Sequence, residues 1–153
     1  MKLSTCTSAL AAVAVCVAYA ALPQQPASPS PMIKRGATMK ISDHAYVILD
    51  DNVGFVPNVG IVVGERATLI VDTGMGPDNG AIVLEEARKL SDNTEFYLTA
   101  THFHPEHDLG ATAFPASAKM IRWRGQQAET DEQVAQTIPR FSGFSPAVAA
   151  LLS

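Results

Sequence analysis

The sequence predicts an α/β fold built in layers, and three observations carry that prediction. Short apolar runs recur at Ala45–Leu49, Val59–Val63, Ala67–Val71 and Glu95–Thr99, each bounded by turn-forming residues. An amphipathic segment long enough for a helix separates the third run from the fourth. The fourth run then delivers a loop, Thr101-His102-Phe103-His104-Pro105-Glu106-His107-Asp108, which holds three of the four histidines in the chain.

The N-terminus comes first. Lys2 precedes an apolar stretch from Ala9 to Ala20, and Ala18-Tyr19-Ala20 offers a small-residue cleavage site, so residues 1–20 read as a secretory signal. The apolar run is shorter than the roughly 20 residues of a membrane span, so no stable span is expected after cleavage. An exported protein, periplasmic or secreted, is the implied context. Both cysteines, Cys6 and Cys16, lie in this leader, so a mature chain would carry no disulfide, thiolate ligand or cysteine nucleophile. Residues 21–38 are rich in proline and serine and read as a disordered linker. The folded domain is expected over residues 39–153.

Within that domain, Ala45–Leu49 is a strand stopped by Asp50-Asp51-Asn52. Val59–Val63 and Ala67–Val71 form a hairpin about the turn Gly64-Glu65-Arg66. These runs are apolar on both faces, as strands inside a layered fold are. Asp78 or Asn79 can cap a helix reaching Leu90, with Ile82, Val83, Ala87 and Leu90 on one face. Glu95–Thr99 follows as a strand, then a short helix from His107 to Phe114, a strand at Lys119–Ile121 and a helix over Gln126–Ile138.

The histidine loop points to a metal. Neutral imidazole is the commonest metal ligand, and Glu106 and Asp108 add carboxylate oxygen between the rings. If His102 to His104 is extended, both side chains leave on one side, because a strand repeats every two residues. The formal charge of −4 argues against a dedicated nucleic-acid binder. Lys119, Arg122 and Arg124 around Trp123 therefore read as a solvated strand end.

Two motifs, Leu69-Ile70-Val71-Asp72-Thr73-Gly74 and the H-x-H-x-[DE]-H cluster, together resemble the metallo-β-lactamase superfamily over roughly residues 40–125. The resemblance implies a sandwich of two β-sheets with helices outside (αββα), of which this chain would be the N-terminal half. It also implies zinc, one or two ions. His102 and His104 would bind the first, Glu106 and His107 the second, and Asp72 would orient ligands by hydrogen bonds beside them. The implied activity is zinc-dependent hydrolysis of an ester, thioester, lactam or similar bond in a small-molecule substrate, with hydroxide supplied at neutral pH.

Two departures qualify it. No histidine follows His107, whereas the family's full ligand set needs later His and Asp residues. The expectation is a fragment of a longer enzyme, impaired as it stands and poorly soluble. Glu106 also stands where most members have Asp. The added methylene moves the carboxylate and weakens the second site. Two other readings compete. One is an exported, non-catalytic zinc-binding protein. The other takes Asp72-Thr73-Gly74 as the signature of an aspartic protease.

Overall fold

The computed structural model describes residues 30–153. The expected leader and the first part of the expected linker lie outside the described residues. Six strands form one mixed sheet in sequence order: β1 Thr38–Lys40, β2 Ala45–Ile48, β3 Val59–Val63, β4 Ala67–Val71, β5 Glu95–Thr99 and β6 Lys119–Met120. The first four pair antiparallel, and β4, β5 and β6 run parallel. A parallel neighbour needs a crossover, and helix α1 (Gly76–Leu90) supplies it between β4 and β5. After β5 come the four-residue helix α2 (Pro105–Asp108), a 3-10 turn (Leu109–Ala113), and helices α3 (Arg124–Ser142) and α4 (Pro146–Leu151).

Strand register decides which side chains meet α1. Tyr46, Ile61, Ile70, Leu98 and Met120 lie in one cross-strand row. Ile61, Ile70 and Leu98 are buried against Ile82, Val83 and Ala87 of α1, together with Ile48, Val59 and Phe96. Burying one such side chain stabilises by roughly 1.5–3 kcal/mol, so this layer dominates the fold energetically. The opposite sheet face is apolar too. Val47, Leu69, Val71 and Tyr97 are half-buried there, while Met39 and Val62 are 47% and 39% exposed.

The structure departs from the sequence expectations at three places. The linker expected to reach residue 38 is already packed from Pro31. Ile33 is in the core, and its N–H donates to Asn79 Oδ1 at 2.7 Å. Asn79 Nδ2 in turn donates to Pro31 O at 3.0 Å and Met75 O at 2.8 Å. Asn79 is therefore a buried clamp inside α1 rather than its cap, and the helix begins at Gly76 with Pro77 in its first turn. Likewise α3 does not stop at Ile138 but runs through Pro139 to Ser142. An internal proline costs about 3 kcal/mol. Burial of Phe141 against Met75, Val148 and Phe55 offsets that cost.

Further along α1, buried Glu86 holds the same N-terminal segment. Its carboxylate accepts from Gly36 N–H at 2.9 Å, Thr38 Oγ1 at 2.6 Å and Lys89 Nζ at 2.7 Å. Burial pushes this carboxyl up, but the hydrogen bonds from Lys89, Thr38 and Gly36 outweigh it and hold it below the usual carboxylate range. A carboxyl lowered in the folded state stabilises fully above its unfolded value, and that stability is lost as pH falls through the folded value. Glu86→Ala is expected to cost about 1–3 kcal/mol in urea unfolding at neutral pH. Glu86→Gln should flatten the acid limb of the stability curve. The exposed sheet face yields a second expectation: concentration-dependent self-association in sedimentation velocity, reduced by Val62→Lys. A monomer at every concentration would refute it.

Candidate metal centre

The centre forms where β4 and β5 end side by side. Val71 is in register with Thr99, so the residues that follow, Asp72 and Thr101, meet at the carboxyl edge of the sheet. This edge of parallel strands is where open α/β sheets build their sites. Asp72 N–H still donates to Thr99 O at 2.9 Å, but its φ of 64° turns the chain sharply out of the strand. The left-handed region is a strained place for a non-glycine residue, though Asp tolerates it better than most.

The strained turn aims a carboxylate. Asp72 is 3% exposed, and its oxygens accept from Thr101 N–H at 2.7 Å and from the Thr101 hydroxyl at 3.1–3.2 Å. His107 Nδ1 lies 2.9 Å from Asp72 Oδ2. The Thr101 oxygen is also 3.2 Å from His102 Nδ1. The Thr101 oxygen also lies 3.2 Å from His107 Nδ1, and one proton arrangement satisfies the network. An ionised Asp72 only accepts, so Thr101 donates its one hydroxyl proton there and His107 donates from Nδ1. The Thr101 oxygen then accepts from His102 Nδ1–H. Both imidazoles are left with an Nε2 lone pair, the form a metal takes.

The third histidine and the glutamate come from the next bend. His104 precedes Pro105 and is extended at ψ 148°, as a residue before proline must be, and Pro105 opens α2. One helical turn then carries Glu106 and His107. His102, His104 and Glu106 each offer a ligand atom within 4.8 Å of the others. His107 stands outside that set of three. Its ring centroid is 4.0 Å from that of His102, and its Nε2 is 4.0 Å from Glu106 Oε1. Glu106, expected to pair with His107 at a second ion, thus groups with the first two histidines. Asp108 turns away altogether and is ion-paired with Arg122.

Two features fit this donor set to a cation. Glu106 Oε2 is buried with no hydrogen-bond partner, although buried carboxylate oxygens are normally satisfied. The His102 imidazole is held below its usual range, first by burial and then by the neighbouring rings of His107 and His104. It is therefore neutral near pH 7, and a protonated ring could not ligate. Two imidazoles and a carboxylate make an N/N/O set of the kind zinc accepts.

The loop is held in place by backbone contacts. Thr73 N–H donates to His107 O at 2.8 Å, and Gly110 N–H donates to Gly74 O at 2.7 Å. The approach is so close that a Cβ on Gly80 would overlap the Gly110 carbonyl, and one on Gly110 would overlap that of Thr73. Sequence reasoning missed Thr101 and Arg122. The only signal for Thr101 was a hydroxyl residue directly before the first histidine. His44, the remaining histidine, is exposed on the turn before β2.

The family model for the metallo-beta-lactamase superfamily matches residues 52–131. A linear primary-alkylsulfatase from Pseudomonas sp. (strain ATCC 19151) is 38% identical over 80 residues, covering 50% of this chain and 15% of that protein. The sec-alkylsulfatase Pisa1 from Pseudomonas sp. superposes with a TM-score of 0.53 at 14% identity, covering 69% of this chain and 18% of Pisa1. The metallo-beta-lactamase FIM-1 from Pseudomonas aeruginosa, in its mono-zinc form, gives a TM-score of 0.52 at 17% identity, covering 69% of this chain and 49% of FIM-1. At these identities the structural likeness establishes a shared fold. The chain spans less than half the length of each of the three.

Removing the Asp72 network should loosen metal binding without touching a ligand. Thr101→Val and Asp72→Asn are each expected to weaken zinc affinity by about 10–100-fold, with Thr101→Ser restoring it. Competition titration against a chromophoric chelator reads this directly.

Proposed function

The chain belongs to the metallo-beta-lactamase superfamily, and on that premise we propose that it is a zinc-dependent hydrolase whose ion is held by His102, His104 and Glu106. The observation that carries this reading is that ligand atoms of His102, His104 and Glu106 lie within 4.8 Å of one another, while Glu106 Oε2 is buried without a hydrogen-bond partner. A catalytic zinc commonly keeps three protein ligands and one open position. When bound there, zinc supplies Lewis acidity and hydroxide at neutral pH.

The chain's own residues do the rest. Asp72 holds His107 directly and His102 through Thr101, which fixes both rings by their Nδ1 atoms and leaves Nε2 outside that network. Arg122 neutralises Asp108 and draws it from the centre, so Glu106 is the one motif carboxylate free to ligate. His107 lies beside the set, with Nδ1 committed to Asp72 and Nε2 able to ligate or to hydrogen-bond a substrate oxygen. The Asp72 carboxylate is occupied by Thr101 and His107, which places the Asp-Thr-Gly motif in the service of the histidines.

The proposed substrate is a small ester, foremost a sulfate monoester, on the strength of the likeness to a linear primary-alkylsulfatase. The leader read at residues 1–20 makes an exported protein the proposed context. No helix among the described residues is long and apolar enough to cross a membrane.

Because Glu106 groups with His102 and His104, one tightly held zinc per chain is expected. The test is zinc titration followed by hydrolysis assays on alkyl sulfate, thioester and lactam substrates with and without chelator. Turnover that needs zinc and vanishes in His102→Ala supports the proposal. Zinc binding without turnover would reassign the chain as a binding protein, and chelator-insensitive turnover would reject the metal.

A further inference from the structure

One face of α3 borders the metal centre and is not used by it. Gln133, Gln136, Thr137, Arg140 and Phe141 of α3 line a cleft, with Phe103 and His104 of the histidine loop completing its wall. The spacing explains the alignment. Positions 133, 136, 137 and 140 follow the i, i+3, i+4, i+7 pattern that puts side chains on one helical stripe. His104 belongs both to the cleft wall and to the proposed ligand set, and its ring lies 5.2 Å from that of Phe141. The cleft therefore opens directly beside the ion's position. Its volume is about 70 Å³, room for a group the size of two or three waters at ~30 Å³ each.

The polar complement of this cleft suits an anion. Arg122, the arginine nearest the histidine loop, is paired with Asp108. Arg140 makes no ion pair among the described residues, and no carboxylate lines its cleft. A guanidinium presents a planar fork of donors matched to oxyanions, and the two glutamine amides add neutral donors beside it. A guanidinium here adds attraction for an anionic substrate at a distance from the carboxylates of Glu106 and Asp72. Next to the cleft lies a smaller slot of about 30 Å³ lined by Pro105, Asp108, Leu109, Thr130 and Ile138, and Phe103 and Thr137 line both. The polar cleft matches an oxyanion, and the slot has room only for the atoms next to it.

We infer that the Arg140–Gln133–Gln136 face of α3 is an anion-binding subsite that seats the oxyanion head of an ester beside the metal centre. This rests on the hydrolase reading for its purpose, but it is tested by binding alone. The head can reach the cleft as part of the intact ester or as the free anion released from it, and the chemistry recognised is the same.

The experiment is titration calorimetry of the full chain with hexyl sulfate, inorganic sulfate and hexanol, in metal-free and zinc-loaded forms. Hexyl sulfate is expected to bind measurably even without zinc. Arg140→Ala and Arg140→Gln should each weaken it at least tenfold, Arg140→Lys should weaken it less, and hexanol should bind more weakly than the sulfate ester. Tighter binding of hexyl sulfate than of inorganic sulfate assigns the cleft to the ester, and equal affinity assigns it to the free anion. Unchanged affinity in Arg140→Ala, with helix content by circular dichroism unaltered, would overturn the proposal, as would hexanol binding as well as hexyl sulfate. Absence of turnover with Arg140-dependent binding intact would defeat the hydrolase reading and leave this one standing.

Discussion

The centre depends on a seam between two loops that leave adjacent parallel strands. The loop after β4 and the loop after β5 are joined by Thr73 N–H to His107 O and by Gly110 N–H to Gly74 O, and across the same seam Asp72 meets His107 and Thr101. Neither loop could hold its geometry alone. Asp72 sits at a positive φ, and the histidine loop is a series of bends between Thr101 and His104. Each loop supplies the hydrogen-bond partners the other's irregular backbone lacks, as buried backbone groups require. Glycine at positions 80 and 110 lets α1 and the 3-10 turn come close enough for the seam to close.

The seam also sorts the charges. Three carboxylates stand near three imidazoles, and each meets a different fate. Asp72 becomes a hydrogen-bond acceptor that sets ring orientation, Asp108 is neutralised by Arg122, and Glu106 is left buried with an unsatisfied oxygen. Only the last keeps a buried oxygen without a hydrogen-bond partner. The longer side chain of Glu106 acquires a reason here: from the second position of α2 it reaches back toward His104, with Oε1 3.6 Å from His104 Nδ1.

The clamp along α1 shows how far the influence of this layer extends. Asn79 and Glu86 are polar side chains on a helix face otherwise given to the core, and each gathers backbone or hydroxyl donors from residues 31–38. A stretch that composition marks as linker is drawn into the fold because a buried amide and a buried carboxylate need partners. The same logic extends α3 through Pro139, where burial of Phe141 outweighs the lost helical hydrogen bond.

The strands β2 to β5, the crossover helix and the clustering of donor side chains in the histidine loop were legible in the chain itself. Period, turn residues and ligand chemistry are local properties, and Ala67–Val71 or His102-x-His104 carries them within a few residues. Tertiary structure alone decided that Glu106 stands with His102 and His104, that Thr101 links Asp72 to His102, that Asn79 clamps rather than caps, and that α3 brings Arg140 beside the centre. Several of these are choices between partners 29 to 50 residues apart in sequence, such as Asp72 with Thr101, and the same holds for Gly36 with Glu86. They are settled by strand register and by the satisfaction of buried polar groups, and neither is written in the pattern of any single segment.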